Sequence, residues 1–219
     1  MNLEICTDAS IRTFENGRVF SCSGAICINN AETSYVISPD STNSRGELLA
    51  IYLGCKLAHK MVMENPNIFT DIILYSDSQF AIFGLTRWMN SWIKNSSNGI
   101  MYGSNKKPVK NQNLFKSIIT YLITSGLVVH MRHQAGHVNY HSNRMLAKAN
   151  ATFKQSNGYL LKPEDIYKIS YYNDLIDKST RDILYNESLN PNEYPIMHYN
   201  DEDAMCNYVI PSNYKDFVL

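Results

Sequence analysis

Cysteine is scarce in this sequence, and its distribution excludes two kinds of site. The chain holds five cysteines, an odd number, and no two of them form a Cys-x-x-Cys pair. This pattern indicates neither a zinc site nor a disulfide framework. Free thiols persist in reducing compartments, so we expect an intracellular, cytoplasmic protein.

Long apolar runs are also missing. No run approaches the roughly 18 residues that a membrane-spanning helix requires. The N-terminus lacks the charged region, apolar core and small-residue cleavage site of a secretory signal. The sequence therefore predicts no contact with a membrane.

The net charge is zero, but the charges are unevenly distributed. Residues 1–153 hold 14 basic and 9 acidic side chains, whereas residues 154–219 hold 6 and 11. We expect one α/β domain over 1–153, followed by an acidic extension over 154–219 that is partly helical and could dock as an arm. Such an extension could fold over the basic body or recruit a protein partner.

Alternating and continuous apolar segments predict the elements of the main domain. Three strands with short connections suggest an antiparallel meander, and a helix then leads to a strand that is apolar on both faces. The predicted strands cover residues 4–10, 19–28, 33–38, 71–77 and 127–131, with the helix over about 41–65.

Three acidic residues stand at diagnostic places in these elements. Asp8 follows the first strand, and the small residues after it predict that the backbone leaves the sheet there. Asp77 ends the buried strand, and a parallel crossover would bring the two strand ends together. Glu47 lies at a helix start, where it could instead form a capping box with Ser44. Clustered carboxylates could bind a divalent metal.

Tryptophan, lysine and histidine residues outside these segments could be structural or functional. Trp88 and Trp92 are four residues apart, a spacing typical of a core face. Lys106, Lys107 and Lys110 surround a proline, and could form a solvated loop or follow a phosphate backbone. The three histidines between residues 133 and 141 match no metal motif, so we expect a flexible loop with one chemically useful histidine.

Taken together, these segments resemble the active-site segments of type 1 ribonuclease H. The similarity spans about residues 1–153, and the two tryptophans with the lysine-rich segment look like the basic protrusion of bacterial members. The matching segments are Thr7-Asp8-Ala9-Ser10, Thr42-Asn43-Ser44-Arg45-Gly46-Glu47-Leu48, Ser76-Asp77-Ser78-Gln79 and Lys106-Lys107-Pro108-Val109-Lys110-Asn111.

The resemblance implies a ribonuclease H-like five-stranded mixed sheet, with three antiparallel and two parallel strands, flanked by helices. It implies metal-dependent hydrolysis of the RNA strand of RNA/DNA hybrids. Asp8, Glu47 and Asp77 would hold two Mg²⁺ ions, or Mn²⁺, to activate water and stabilise the leaving oxygen.

The resemblance also implies contacts with the hybrid. Asn43, Ser44 and Gln79 would read the minor groove, and Thr42 would hold a DNA phosphate. The DNA strand would be supported by Trp88, Trp92, Lys106, Lys107 and Lys110.

One position departs from the family pattern. In one alignment, His133 matches the family's loop histidine and Asn143 stands where the family has its fourth carboxylate. An alternative register places Gln134 and Arg144 there instead. With Asn143 as a metal ligand and His133 assisting proton transfer or product release, we expect an active enzyme that needs more metal.

Two other functions remain open. A catalytically weakened module of the same fold could bind nucleic acid or a protein partner, although three mutually repelling acids would then serve no purpose. The protein could also be a related nuclease that acts on DNA. The basic segment and the minor-groove residues favour RNA/DNA hybrids over that substrate.

Overall fold

The computed structural model describes residues 1–39, 41–185 and 210–219. Its five-stranded sheet has the order β3-β2-β1-β4-β5, in which β1, β2 and β3 pair antiparallel and β4 and β5 continue parallel to β1. The predicted mixed sheet is confirmed. The strands are β1 (Leu3–Thr13), β2 (Val19–Cys27), β3 (Thr33–Pro39), β4 (Ile72–Ser76) and β5 (His130–His133).

Six α-helices flank the sheet in the described part of the chain. One π-helical turn, Gly84–Trp88, separates the second helix from the third. The helices are α1 (Asn43–Glu64), α2 (Gln79–Phe83), α3 (Met89–Lys94), α4 (Gln112–Ser125), α5 (Asn143–Asn157) and α6 (Pro163–Tyr185), and a 3-10 helix covers Ser212–Asp216.

The sheet has an apolar layer on each face. Side chains alternate along β1, so Ile5 joins the core beneath α1 and α4, and Cys6 joins a second cluster on the opposite face. Ile169 and Ile176 of α6 complete that second cluster. The sheet is therefore covered on both sides.

The C-terminal region differs from the expected appendage. Pro163–Tyr185 form one continuous helix, α6, which packs along β1 and β2. Val218 forms a bridge with Val129, and Tyr214 is buried. Apolar side chains on one face of α6 explain why it belongs to the domain. The rest of the predicted arm, residues 186–209, lies outside the described residues.

Among the helices that the structure describes, none is long and apolar enough to cross a membrane.

Candidate active site

The first two acids are brought together by the parallel pairing of β1 and β4. Thr7 lies opposite Ser76 in the register, so Asp8 and Asp77, the next residues, emerge side by side. The expectation that the chain leaves the sheet after Asp8 is wrong. Strand β1 continues to Thr13, because its outer half pairs with β2.

The third acid comes from the first turn of α1. Thr42, rather than Ser44, caps this helix, and its hydroxyl accepts a hydrogen bond from the Arg45 amide at 3.3 Å. The capping box is therefore not formed, and Glu47 is free to face the sheet. The helix lies close to β1, since a Cβ placed on Gly46 would be 3.1 Å from the Ala9 Cβ.

Asp8, Glu47 and Asp77 form a compact group of carboxylates. One oxygen from each lies within 4.8 Å of the others. Asp8 and Glu47 are only 4% and 6% exposed. Asp8 Oδ2 and Glu47 Oε2 have no hydrogen-bond partner among the described residues. Buried oxygen atoms without donors are costly, and a hard divalent cation such as Mg²⁺ fits this donor set.

Burial raises the pKa of all three acids, and the repulsion of nearby carboxylates adds to this rise. For Asp8 the main cause is burial, followed by the charge of Asp77. The pKa of Glu47 is raised by burial and then by Asp8. Burial also raises the pKa of Asp77, whereas His137 and Asn173 lower it. The charged state of the group therefore needs a compensating cation.

These shifts predict how the stability of the metal-free protein depends on pH. A carboxyl whose pKa is higher in the folded state stabilises that state at low pH and loses this contribution as pH rises. The loss should extend from the ordinary carboxyl pKa of about 4 to about 8, the pKa of Asp8. Thermal unfolding across this range, with EDTA or Mg²⁺, should show a Mg²⁺ stabilisation that grows with pH. A stabilisation that is independent of pH would contradict this.

His133 is the last residue of β5, and its ring contacts the backbone of Asp77. Its Nδ1 lies 2.8 Å from Ser156 Oγ, its Nε2 lies 3.2 Å from the Asp77 carbonyl oxygen, and its ring packs against Phe83. Burial is the main cause that lowers the pKa of His133. The expectation of a flexible-loop histidine is wrong, because strand pairing and packing fix this ring.

Gly136 allows the loop after β5 to approach Asp77. A Cβ placed on Gly136 would be 2.0 Å from Asp77 Oδ2, so Gly136→Ala must displace this carboxylate or the loop. Since small misplacements of reacting groups are costly, we expect a loss of about 100-fold in hybrid cleavage. Circular dichroism should show that the fold remains. Unchanged cleavage by a folded variant would show that the close approach is unimportant.

The residues predicted to contact the hybrid have mixed placements. Gln79 and Asn43 are exposed at helix starts, and Lys106, Lys107 and Lys110 are also exposed. Trp88 is 39% exposed, whereas Trp92 is 8% exposed and packs 5.1 Å from the Phe115 ring. Trp92 is thus a core residue, contrary to the expected contact. Of the remaining positions, Thr42 is exposed at the cap of α1, and Ser44 is half-buried.

The expected fourth ligand lies at the exposed start of α5. Asn143 is the first residue of this helix, which Ser142 caps, and Arg144 follows it. Neither residue hydrogen-bonds to the three acids within the described ranges. The side-chain amide that lowers the pKa of Asp77 belongs instead to Asn173 of α6.

Sequence reasoning missed the contribution of α6. Asn173 and Asp177 are buried, and Gln134 donates a 2.5 Å hydrogen bond to Asn173 Oδ1. A signal was present: these two polar residues, four apart, interrupt the otherwise apolar stripe that includes Ile169 and Ile176. Polar side chains on the inner face of a helix often mark a site.

Comparison with known proteins gives the same assignment. The RNase H family profile matches residues 2–152. Ribonuclease H of Actinobacillus succinogenes is 34% identical over 114 residues, covering 51% of this chain and 65% of the relative. Human ribonuclease H1 is 28% identical over 102 residues, covering 47% and 32%. The chain thus spans less than two thirds of the length of these relatives.

Solved structures of related proteins are also similar. LC9-RNase H1, described as a type 1 RNase H with the type 2 active-site motif, aligns with a TM-score of 0.45 and 16% identity, covering 90% of this chain and 86% of that one. A foamy viral protease-reverse transcriptase in complex with dsDNA aligns with a TM-score of 0.48 and 19% identity, covering 72% and 95%. With its family profile matched across the sheet and the three acids, the chain belongs to the RNase H family.

Proposed function

We propose that this protein is a divalent-metal-dependent endonuclease that hydrolyses the RNA strand of RNA/DNA hybrids. The observation that carries the proposal is the buried group of Asp8, Glu47 and Asp77, with two carboxylate oxygens that lack donors. Family membership supports the substrate class. A binding module would gain nothing from keeping three repelling acids so close together.

The protein contributes a rigid and pre-formed arrangement of oxygens. When bound, divalent ions supply a polarised water and stabilise charge on the leaving oxygen, and two Mg²⁺ or Mn²⁺ ions would fit this chemistry. Asp8, Glu47 and Asp77 would hold them. Strand pairing fixes Asp8, helix α1 fixes Glu47, and His133 holds the backbone of Asp77.

The exposed side chains near the site would bind the hybrid. Asn43 begins α1 four residues before Glu47, and Gln79 begins α2 two residues after Asp77. Both would contact a strand near the reacting phosphate. Trp88 and the lysines of the protrusion would support the second strand. His133 would act by holding Asp77, since both of its ring nitrogens already have partners.

Cleavage of defined substrates tests the proposal. An RNA/DNA hybrid, duplex DNA and duplex RNA, each labelled on both strands, should be incubated with Mg²⁺ or Mn²⁺ and with Asp8→Asn as control. We expect cleavage of the RNA strand of the hybrid alone. Binding without cleavage would favour the binding module, and cleavage of duplex DNA would favour a DNA nuclease.

The protrusion lysines give a separate prediction. Replacing Lys106, Lys107 and Lys110 with glutamine should weaken hybrid binding in EDTA and reduce its salt dependence. Each lost phosphate contact should lower the slope of log K against log salt by about 0.7 to 0.9. Lys60→Gln is the control, because Lys60 is already paired with Glu32 at 2.5 Å. An unchanged slope in the triple variant would show that the protrusion does not contact the hybrid.

A further inference from the structure

Helix α6 lies beyond the residues that match the family profile, yet it reaches the three acids. Asn173 and Asp177 are one helical turn apart, so they share a face of the helix. The Asn173 side chain lies close enough to the Asp77 carboxyl to lower its pKa, and Asn173 Oδ1 accepts a hydrogen bond from Gln134. This face of α6 therefore forms part of the wall of the site.

The neighbours of Asp177 place it beside Asp8. Gly24 is the residue of β2 that pairs with Asp8. A Cβ on Gly24 would be 2.8 Å from both Ile176 Cδ1 and Thr180 Cγ2, so α6 crosses β2 at this level. Asp177 follows Ile176 and is 8% exposed. It is thus held between the helix and the sheet, near the acids.

The loop after β5 approaches Asp177 from the other side. His137 Nδ1 lies 3.5 Å from Asp177 Oδ2, and the preceding Gly136 abuts Asp77. Arg181 donates to both Asp177 oxygens, at 2.8 and 2.6 Å. The Arg181 guanidinium offsets the charge of Asp177, which allows a fourth carboxylate to lie close to the three others.

Several buried oxygen atoms near this wall lack hydrogen-bond donors in the part of the chain that is described. They are Asp8 Oδ2, Glu47 Oε2 and Gln134 Oε1. The negative charge of Asp177 also contributes to the raised pKa of each of the three acids. The site holds more oxygen acceptors than the surrounding residues can satisfy.

We propose that Asp177 of α6 supplies a fourth negative charge beside the three acids, and that this charge supports metal binding in place of the contribution expected of Asn143 on α5. This inference rests on the proposed function and deepens it. Asn173 positions Asp77, and Arg181 and His137 position Asp177. The C-terminal region is then required for metal binding as well as for covering the sheet.

The test compares Asp177→Asn with Asn143→Ala in the full-length protein. Removing a charge that supports a metal site typically costs about 10-fold to 100-fold in metal affinity. We expect Asp177→Asn to weaken Mn²⁺ binding, followed by electron paramagnetic resonance, and to raise the half-saturating Mg²⁺ concentration for hybrid cleavage by a similar factor. Asn143→Ala should change both quantities much less than Asp177→Asn does.

Two further results separate a metal role from a structural one. Asp177→Glu keeps the charge and should recover part of the Mn²⁺ affinity, whereas a purely structural aspartate would not be rescued. Thermal unfolding in EDTA should show that Asp177→Asn remains folded. If the wild type neither binds Mn²⁺ nor cleaves the hybrid, the proposed function fails. If the wild type does both and Asp177→Asn matches it, or if only Asn143→Ala is impaired, this inference alone is overturned.

Discussion

Glu47→Gln is expected to remove hybrid cleavage while making the metal-free protein more resistant to heat. The substitution keeps the size of the side chain but removes one of three buried, repelling charges. Loss of one group that stabilises charge in a transition state typically costs about 100-fold to 1,000-fold in rate. Because burial and then Asp8 raise the pKa of Glu47, the carboxylate destabilises the folded state at neutral pH.

The measurements are the cleavage rate in Mg²⁺ and the melting temperature in EDTA. Glu32→Gln is a matched control, since Glu32 forms a surface ion pair with Lys60. This control should leave cleavage unchanged and the melting temperature nearly so. A Glu47→Gln variant that cleaves normally, or that melts lower than the wild type in EDTA, would show that Glu47 has a structural role.

A protein truncated after residue 160 is expected to fail to fold. Removal of α6 would expose the sheet face on which Cys6, Ile26 and Tyr75 are now buried. Contiguous apolar surface of this kind promotes aggregation in a soluble domain. Circular dichroism and urea unfolding should show no cooperative transition for residues 1–160, although the family profile ends at residue 152.

A point substitution tests the same packing without removing the helix. Ile176 is fully buried against β2, and Ile176→Ala should destabilise the protein by about 2 to 5 kcal/mol. Ile68→Ala is the matched control, because Ile68 is 49% exposed, and its effect should be small. A cooperative transition for residues 1–160, together with a negligible effect of Ile176→Ala, would restore the appended-arm interpretation.

The sheet could be predicted from the sequence because its signals are local. Alternation along β1 and β2 and the continuous apolar run of β4 give the strands, and the crossover helix gives the parallel pairing. The course of β1 beyond Asp8 could not be predicted. Ser10 and Arg12 suggest a turn, but pairing with β2 and hydrogen bonds to Thr180 and the Leu184 carbonyl oxygen hold them in a strand.

The site was predictable to the extent that it depends on strand ends and helix starts. Asp8, Glu47 and Asp77 are placed by such features. The contribution of Asn173 and Asp177 depends on how α6 docks across β1 and β2, which is a long-range contact that no local pattern specifies. The same is true of Trp92, whose burial is set by its packing against Phe115.

The most direct test of the central claim is calorimetric titration of Mg²⁺ into the full-length protein at pH 7, in two buffers with different ionisation heats. If the three acids form the metal site, binding must displace protons from carboxyls such as Asp8, whose pKa is raised to about 8. We expect the wild type to bind Mg²⁺ and to release protons as it does so. Asp8→Asn should abolish this binding and, with it, the proton release. Binding that Asp8→Asn leaves intact, or that releases no protons, would contradict the account.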